Sequence, residues 1–484
     1  MTLERLVGQD VRLPDGAGGI RITGLTSDSR AVKPGYLFAA LPGSSVDGAK
    51  FIPQAIAAGA VAILAAEGVA ANGAVVVNSS NPRQAFARAA AHFFGRQPDL
   101  IVAVTGTSGK TSVASFVREI WSAMGIRAAS LGTVGVVSPS GTRELEHTTP
   151  DPVSMQEAVA ALADDHVNHL AIEASSHGLD QFRLDGLRLS AGGFTNLSHD
   201  HLDYHPSVES YFNAKMRLFE ELLPPGAPAV INVDTEHGRA AAARCKRRGL
   251  DVLPVGSEGT AFRLIDVLNE GFGQRLDVDV RGARYRVQLP LVGAFQASNA
   301  LVAAGLVLGT GGDEKQIMHA LESLKGARGR LELVGRAKSG APVFVDYSHK
   351  PDALENAIAA LRPYTKGKLR VVFGCGGDRD RAKRPIMGGI ATRLADKVYV
   401  TDDNPRTEDP AAIRAAIMAA APGAVEIGDR AAAIRAAVDA LEAGDVLMVA
   451  GKGHEEGQKI GKTVLPFSDH DAVKAAIAGI DYHG

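Results

Sequence analysis

The chain has 484 residues, 45% hydrophobic and 22% charged, a soluble globular composition with room for two to four domains, which excludes a disordered or fibrous protein. A formal net charge of −2 without a basic run offers no general attraction to polyphosphate and argues against nucleic acid as a partner. Two well-separated cysteines, Cys245 and Cys375, are no disulfide framework, and neither a basic-then-apolar leader nor an uninterrupted apolar window of about 18 residues is present, so a cytoplasmic protein without a membrane span is expected.

Residues 1–98 hold short elements: "LTSDSRAVKPGYLFAAL", a helix candidate near Ile52 to Gly59, and "GAVVVNSSNP". Gly and Pro in "GRQPDL" mark a boundary just ahead of the strand "IVAVTG". From there β-branched runs alternate with alanine-rich segments of helical spacing, the pattern of βα units around a mostly parallel sheet. A second boundary falls near "LKGARGRLELVG", Leu324 to Gly335. Beyond it the strands "VFVDYS", "LRVVFGCGG", "KVYVTDD" and "DVLMVAGKG" each precede a helix candidate, as in a doubly wound domain. The expected organisation is α/β in three domains, residues 1–98, 99–328 and 329–484.

"IVAVTGTSGKTSVASFVREIW" places a Gly-rich turn between an apolar strand and an amphipathic helix. Free N–H groups at the helix head, closure of the backbone at Gly106 and Gly109, the cation of Lys110 and the hydroxyl of Thr111 suit a nucleotide phosphate with Mg²⁺. The strict eight-residue phosphate-loop spacing is not met, because Val104 stands where its first glycine belongs. "HLAIEASSHGLDQFR" puts Glu173 near a strand end, and six of the 14 histidines fall between His166 and His205. For His199, His201 and His205 a zinc site, a Mg²⁺-nucleotide site and ordinary loop histidines compete; without nearby cysteines, magnesium with Glu173 as a direct ligand is favoured. In "SVESYFNAKMRLFEELL" a helix capped near Ser207 carries Lys215, which spacing alone reads as a solvated or snorkelling surface lysine. "VYVTDDNPRTED" ends a strand in Asp403, Asn404, Pro405 and Arg406, a polar tip that asks for a ligand.

The ordered set "TGTSGKTS", "HTTPDP", "EASSHGL", "TNLSHDHLDYH", "AKMRLF", "GAFQASNALVA", "GRLELV", "VDYSHKPDAL", "GCGGDRDRAKRP", "TDDNPR" and "GKGHE" resembles the Mur ligases over nearly the whole chain. The resemblance implies a UDP-binding N-terminal domain, a central ATPase and a C-terminal Rossmann-like domain that receives an amino acid. It also implies a role in peptidoglycan synthesis, hence in cell wall, shape and division; no partner helix or tail is evident in the sequence, and a monomer is expected. Within that family "EASSHGL", "DHLDYH" and "DNPR" point to members that add meso-diaminopimelate to UDP-MurNAc-L-Ala-D-Glu with ATP. By resemblance Gly106, Thr107, Ser108, Gly109, Lys110, Thr111, Ser112, Asn299, Arg330, Asp346 and His349 hold the nucleotide. The UDP-sugar peptide is assigned to Ser27, Ser29, Ser44, Ser45, Val46, His147, Thr148, Thr149, Ser175, Gln181 and Arg183, with the contact of His147, where asparagine is usual, left open.

Lys215 is implied to be carbamylated by CO₂ (N6-carboxylysine), sharing with His201 a second Mg²⁺ beside the one on Thr111 and Glu173, so that Lys110, Glu173, His201 and Lys215 form the catalytic set. The amino acid falls to Arg379, Asp403, Asn404, Pro405, Arg406, Gly451 and Glu455. There electrostatics supply the sense: a guanidinium binds the distal carboxylate that distinguishes diaminopimelate from lysine and repels lysine's ammonium, while Asn404 and Glu455 hold the distal amino group. Rival readings are a folylpolyglutamate synthase or another Mur ligase, a nucleotide-driven switch or motor, and a dinucleotide oxidoreductase; the last fails because Arg379 stands where "GCGGDRD" needs its third glycine.

Overall fold

The computed structural model describes residues 1–8, 11–43, 47–145, 147–198 and 204–482. They form two compact units, one of Met1–Leu264 with Asp279–Ala283 and Ser298–Ala320, the other of Ile265–Val278, Arg284–Ala297 and Leu321–Gly484.

In the first unit, strands β1 (Gly24–Thr26), β2 (Tyr36–Ala40), β3 (Ala62–Ala66) and β4 (Val75–Ser79) form a parallel sheet in that order. Alternation along β2 decides its two faces: Leu37 and Ala39 pack with helices Leu3–Val7 and Pro82–Phe94, Phe38 and Ala40 with helix Ile52–Ala57. Asn81 caps the second of these helices by accepting from the Gln84 N–H, and Pro82 presets its first turn.

The larger sheet follows, with β5 (Leu100–Thr105), β6 (Ala128–Gly132), β7 (Gly135–Ser138), β8 (Gly141–Arg143), β9 (His169–Glu173), β10 (Leu189–Phe194), β11 (Pro228–Asn232) and β12 (Asp251–Gly256). Their order is β12-β11-β10-β5-β9-β6-β7-β8, parallel from β12 to β6 and antiparallel at β7 and β8. β5 is buried on both faces, as its unbroken apolar run requires, and its carboxyl end lies between those of β10 and β9. Ligands of such sheets bind at these strand ends.

Strands β13 (Phe262–Glu270), β14 (Gly273–Val280) and β15 (Ala283–Leu289) lead from one unit to the other along the chain. The second unit carries β16 (Glu332–Arg336), β17 (Pro342–Asp346), β18 (Leu369–Phe373), β19 (Lys397–Val400), β20 (Val425–Glu426) and β21 (Val446–Ala450). Their order is β16-β17-β21-β18-β19-β20, parallel apart from β16. Helices cover both faces, Leu354, Ile358, Met387 and Ile417 packing on one and Ile434, Val438 and Val473 on the other, so this unit is doubly wound as its sequence pattern predicts. A hairpin of β22 (Gly457–Ile460) and β23 (Thr463–Pro466) follows β21. No helix among the described residues is long and apolar enough to cross a membrane.

Candidate active site

The phosphate loop joins β5 to helix Lys110–Ala123. Gly109 takes φ 89° at the helix cap, and a Cβ there would collide with the carboxamide of Asn299, so glycine serves both the left-handed turn and the approach of that side chain. The loop is fastened to the end of β10: the Ser108 N–H donates to Asn196 Oδ1 at 3.0 Å, and Thr195 Oγ1 to the Ser108 carbonyl at 2.6 Å. Thr107 joins this net through the Ser198 N–H and the Tyr211 hydroxyl. Lys110 Nζ donates to the carbonyls of Gly106 and Thr107, at 2.9 and 2.8 Å.

Lys215 departs from the surface position that its spacing suggests. Ser207 caps helix Val208–Arg217 as expected, but the Lys215 side chain, 1% exposed, runs over the Tyr211 ring and donates to the Gly106 carbonyl at 2.7 Å. The partner that buries it lies 109 residues away in sequence, beyond the reach of any local pattern.

At the tip of β9, Glu173 is 2% exposed. Its carboxylate accepts from the hydroxyls of Thr111 (3.0 Å) and Thr133 (3.2 Å) and from the Thr133 N–H (2.7 Å), and Thr133 in turn meets the Thr148 hydroxyl at 3.0 Å. These donors are all neutral. A buried carboxylate that accepts from hydroxyls and a backbone N–H, with no cation among its hydrogen-bond donors in the described residues, fits a hard divalent ion such as Mg²⁺. Thr133 was missed in the sequence, where only its place after the β6 run hinted at a strand-tip residue. His201 and His199 lie outside the described residues; His205 is buried among the rings of His177, Tyr204 and Tyr211.

The residues expected on the sugar peptide continue from Glu173. Thr149 Oγ1 donates to the Glu173 carbonyl and accepts from the Ser175 N–H, Arg183 donates to the Thr149 carbonyl at 2.7 Å, and a second Arg183 nitrogen reaches Gln181 Oε1 at 2.8 Å. Thr148, Thr149, Ser175, Gln181 and Arg183 therefore form one connected patch beside Glu173. His147 is exposed. On the first sheet Ser27 is exposed and Ser29 donates to Gln54 at 3.1 Å, while Ser44, Ser45 and Val46 lie outside the described residues.

The second unit brings its own set together at the carboxyl ends of β17, β21, β18 and β19. Asp346 Oδ2 accepts from the Leu331 N–H at 2.7 Å and Oδ1 from the Ser348 N–H at 2.8 Å, which fixes the segment carrying Arg330; the Arg330 guanidinium lies over the Tyr347 ring. His349 sits beside Tyr347, and burial pushes its imidazole below the usual histidine range. After β19, Asn404 donates to Glu455 Oε2 at 2.9 Å, and Arg406 donates to the Gly377 carbonyl at 2.7 Å. Arg406 occupies the left-handed region, φ 53°, a strain on the order of 1–2 kcal/mol for a residue with a Cβ. Bonds from the Arg406 N–H to Lys459 O and from the Gly461 N–H to Arg406 O clamp it to the hairpin. A Cβ on Gly376 would come within 2.8 Å of the Arg406 guanidinium, and one on Gly451 within 2.7 Å of Asp403, so both glycines leave room for these side chains. Arg379 is exposed, donating to the Asp378 carbonyl at 3.3 Å.

Two supports of this pocket were given no role from the sequence, although Lys452 stands within the quoted "GKGHE". Lys452, fully buried, donates to Asn404 Oδ1 and to Glu455 Oε2. Arg430 and Asp469 form a bidentate pair, both fully buried, and Arg430 also reaches the carbonyls of Ala450 and Asp402, one at each strand end that builds the pocket.

Three family models match successive stretches: the Mur ligase family, catalytic domain over residues 21–106, the Mur ligase middle domain over 104–307, and the Mur ligase, glutamate ligase domain over 329–453. A protein of Bradyrhizobium diazoefficiens named UDP-N-acetylmuramoyl-L-alanyl-D-glutamate--2,6-diaminopimelate ligase is 57% identical over 99% of both chains. A protein of the same name from Brucella melitensis is 56% identical over 96% of both. A solved structure of a ligase of that name is 32% identical, covers 99% of both chains and superposes with a TM-score of 0.72. The chain belongs to the Mur ligase family.

Proposed function

We propose that this enzyme is an ATP-dependent amide-forming ligase that joins meso-2,6-diaminopimelate to UDP-MurNAc-L-Ala-D-Glu, giving UDP-MurNAc-tripeptide, ADP and phosphate for peptidoglycan precursors in the cytoplasm. One observation carries the reading: a buried carboxylate, Glu173, meets the head of the phosphate-loop helix at Thr111, in a chain 57% identical over 99% of its length to a ligase of that name. Domains of 1–98 for the UDP-sugar, 99–328 for ATP and 329–484 for the amino acid are part of this proposal.

A carboxylate oxygen of the D-glutamyl residue attacks the γ-phosphorus, ADP leaves, and an acyl phosphate forms. The amine of diaminopimelate then attacks the acyl carbon, a proton is lost and phosphate leaves. The first step brings two anions together, so positioning and charge neutralisation carry most of the catalysis. The loop from Gly106 to Ser112 supplies N–H donors and the Lys110 cation, while Asn299, Arg330, Asp346 and His349 are assigned to the nucleoside and phosphates. Thr148, Thr149, Ser175, Gln181 and Arg183 orient the muramoyl dipeptide, with Arg183 countering its carboxylate; Ser27, Ser29 and residues 44–46 hold the uridine end.

Thr111 and Glu173 are the residues that would hold Mg²⁺, joined by His201 and a carbamylated Lys215 for a second ion. Bound there, Mg²⁺ neutralises phosphate charge. The carbamate reading is supported by the convergence of the Lys110 and Lys215 ammoniums on one oxygen, that of Gly106. Two unit cations bonded to one oxygen lie less than about 6 Å apart and repel by on the order of 3 kcal/mol or more at an effective dielectric near 20. Addition of CO₂ to Lys215 Nζ, with loss of two protons from the ammonium, leaves a carbamate anion and reverses that sign. In the second unit, Arg406 selects the distal carboxylate and Glu455 the distal ammonium, with Asp403, Asn404, Pro405 and Gly451 shaping the pocket and Arg379 assigned to the carboxylate next to the reacting amine.

Mass spectrometry of the nucleotide-sugar product tests the reading. Incubation with ATP, Mg²⁺, UDP-MurNAc-L-Ala-D-Glu and diaminopimelate is expected to yield the tripeptide; ATP consumed with no change in the sugar peptide contradicts it.

A further inference from the structure

Lys452 is an ammonium sealed in protein at the tip of β21, with no exposed side-chain surface. Burying such a charge is costly unless its geometry is fully used, and here each bond serves a neighbour in the proposed amino-acid pocket. Nζ donates to Asn404 Oδ1 at 3.1 Å and to Glu455 Oε2 at 3.0 Å. The Lys459 backbone N–H donates to the same Asn404 oxygen at 2.9 Å. An ammonium and a backbone N–H can only donate, so these two partners decide which end of the Asn404 carboxamide is oxygen. Its Nδ2 is thereby turned to Glu455 Oε2, 2.9 Å away.

From this we infer that Lys452 is a positioning and specificity-determining residue for the amino-acid substrate. The inference rests on the reading of this pocket as the amino-acid site and goes further in saying how its polarity is set. Asn404 Oδ1 already serves two donors, so the carboxamide offers a ligand N–H and not a carbonyl. That edge suits a carboxylate and gives an ammonium nothing to bind, which corrects the sequence expectation that Asn404 joins Glu455 in holding the distal amino group. Lys452 also offsets the charge of Glu455, so that carboxylate can accept from the distal ammonium of diaminopimelate without adding an uncompensated charge against its distal carboxylate. Lysine, which lacks that carboxylate, gains nothing from the N–H edge. Without Lys452 only the Lys459 N–H still holds the carboxamide oxygen, so the amide is less firmly oriented, and the pocket carries an uncompensated anion that favours a lone ammonium. Lys452 touches no reacting atom in this scheme and acts through Asn404 and Glu455.

The test is steady-state kinetics of the full chain, with diaminopimelate and L-lysine as alternative substrates at saturating ATP and sugar dipeptide. Lys452→Met keeps the volume and removes the charge; it is expected to raise KM for diaminopimelate about tenfold and to shrink the diaminopimelate-to-lysine ratio of kcat/KM by a similar factor, with KM for ATP unchanged. Lys452→Gln keeps a donor for Asn404 Oδ1 without the charge, and a smaller rise of about threefold is expected. Should the methionine variant not fold, the glutamine variant decides alone. Folded variants with unaltered KM and unaltered discrimination overturn the inference. So does a fall in kcat alone, or failure of both variants to fold, which assigns Lys452 to stability only. Unmutated enzyme that turns over without an amino acid overturns the ligase reading instead.

Discussion

Lys215 and Lys110 both donate to the carbonyl oxygen of Gly106, at 2.7 and 2.9 Å, so two ammoniums meet at the first glycine of the phosphate loop. If Lys215 works as a carbamate, Lys215→Ala lowers turnover on the order of 10²–10³-fold while nucleotide binding persists, the scale of losing one preorganised charge. Added formate or bicarbonate is expected to restore part of the rate. A rate indifferent to either argues that Lys215 acts as a cation.

Glu173 pits function against stability. Glu173→Gln keeps the shape and lets the hydroxyls of Thr111 and Thr133 turn to suit the amide, while it removes a buried charge that, among the described residues, is met by neutral donors. The melting temperature is expected to hold or rise, and the Mg²⁺ concentration for half-maximal rate to increase at least about tenfold. A lower melting temperature with unchanged Mg²⁺ demand places Glu173 among structural residues.

The Arg430–Asp469 pair has no exposed surface and links the carbonyls of Ala450 and Asp402. Asp469→Asn leaves a guanidinium buried without its counter-ion, and a loss of about 3–5 kcal/mol in urea unfolding is expected. The double variant Arg430→Met with Asp469→Leu, which removes both charges, is expected to recover most of that loss. Equal destabilisation of single and double variants contradicts the pairing argument.

Burial pushes the thiols of Cys245 and Cys375 up to about 12. A pKa raised by folding contributes stability that is fully present below the unfolded value, about 8.5, and lost as pH rises toward 12. Between pH 8 and 10 the natural chain should therefore lose more stability than a Cys245→Ala, Cys375→Ala variant, at about 1.4 kcal/mol per thiol per pH unit above 8.5. Parallel losses in the two proteins, read from urea midpoints, contradict this.

How far the site was legible follows from where each interaction is made. The phosphate loop reads directly, because strand, Gly-rich turn and helix are contiguous, and the parallel sheets follow from runs such as Ile101–Val104 that are apolar on both faces. Lys215 misled the reading because lysines are seldom fully buried, and the loop that buries this one is distant in sequence. Thr133 and the Arg430–Asp469 pair were silent for the same reason, with partners 40 and 39 residues away, and Lys452, although three residues from Glu455, is tied to the pocket through Asn404, 48 residues away. Family motifs located Arg406 and electrostatics gave it a sense, but its left-handed backbone and its clamp on the hairpin appear only in the fold.

The central claim, a ligase that reads the distal carboxylate through Arg406, is tested most directly by phosphate release from ATP with UDP-MurNAc-L-Ala-D-Glu and either diaminopimelate or L-lysine, for the natural enzyme and for Arg406→Ala. Release that requires the sugar dipeptide, strongly favours diaminopimelate, and loses about 2–5 kcal/mol in kcat/KM for diaminopimelate on removal of Arg406 is the result predicted. Release that needs no co-substrate, or equal use of diaminopimelate by both proteins, contradicts it.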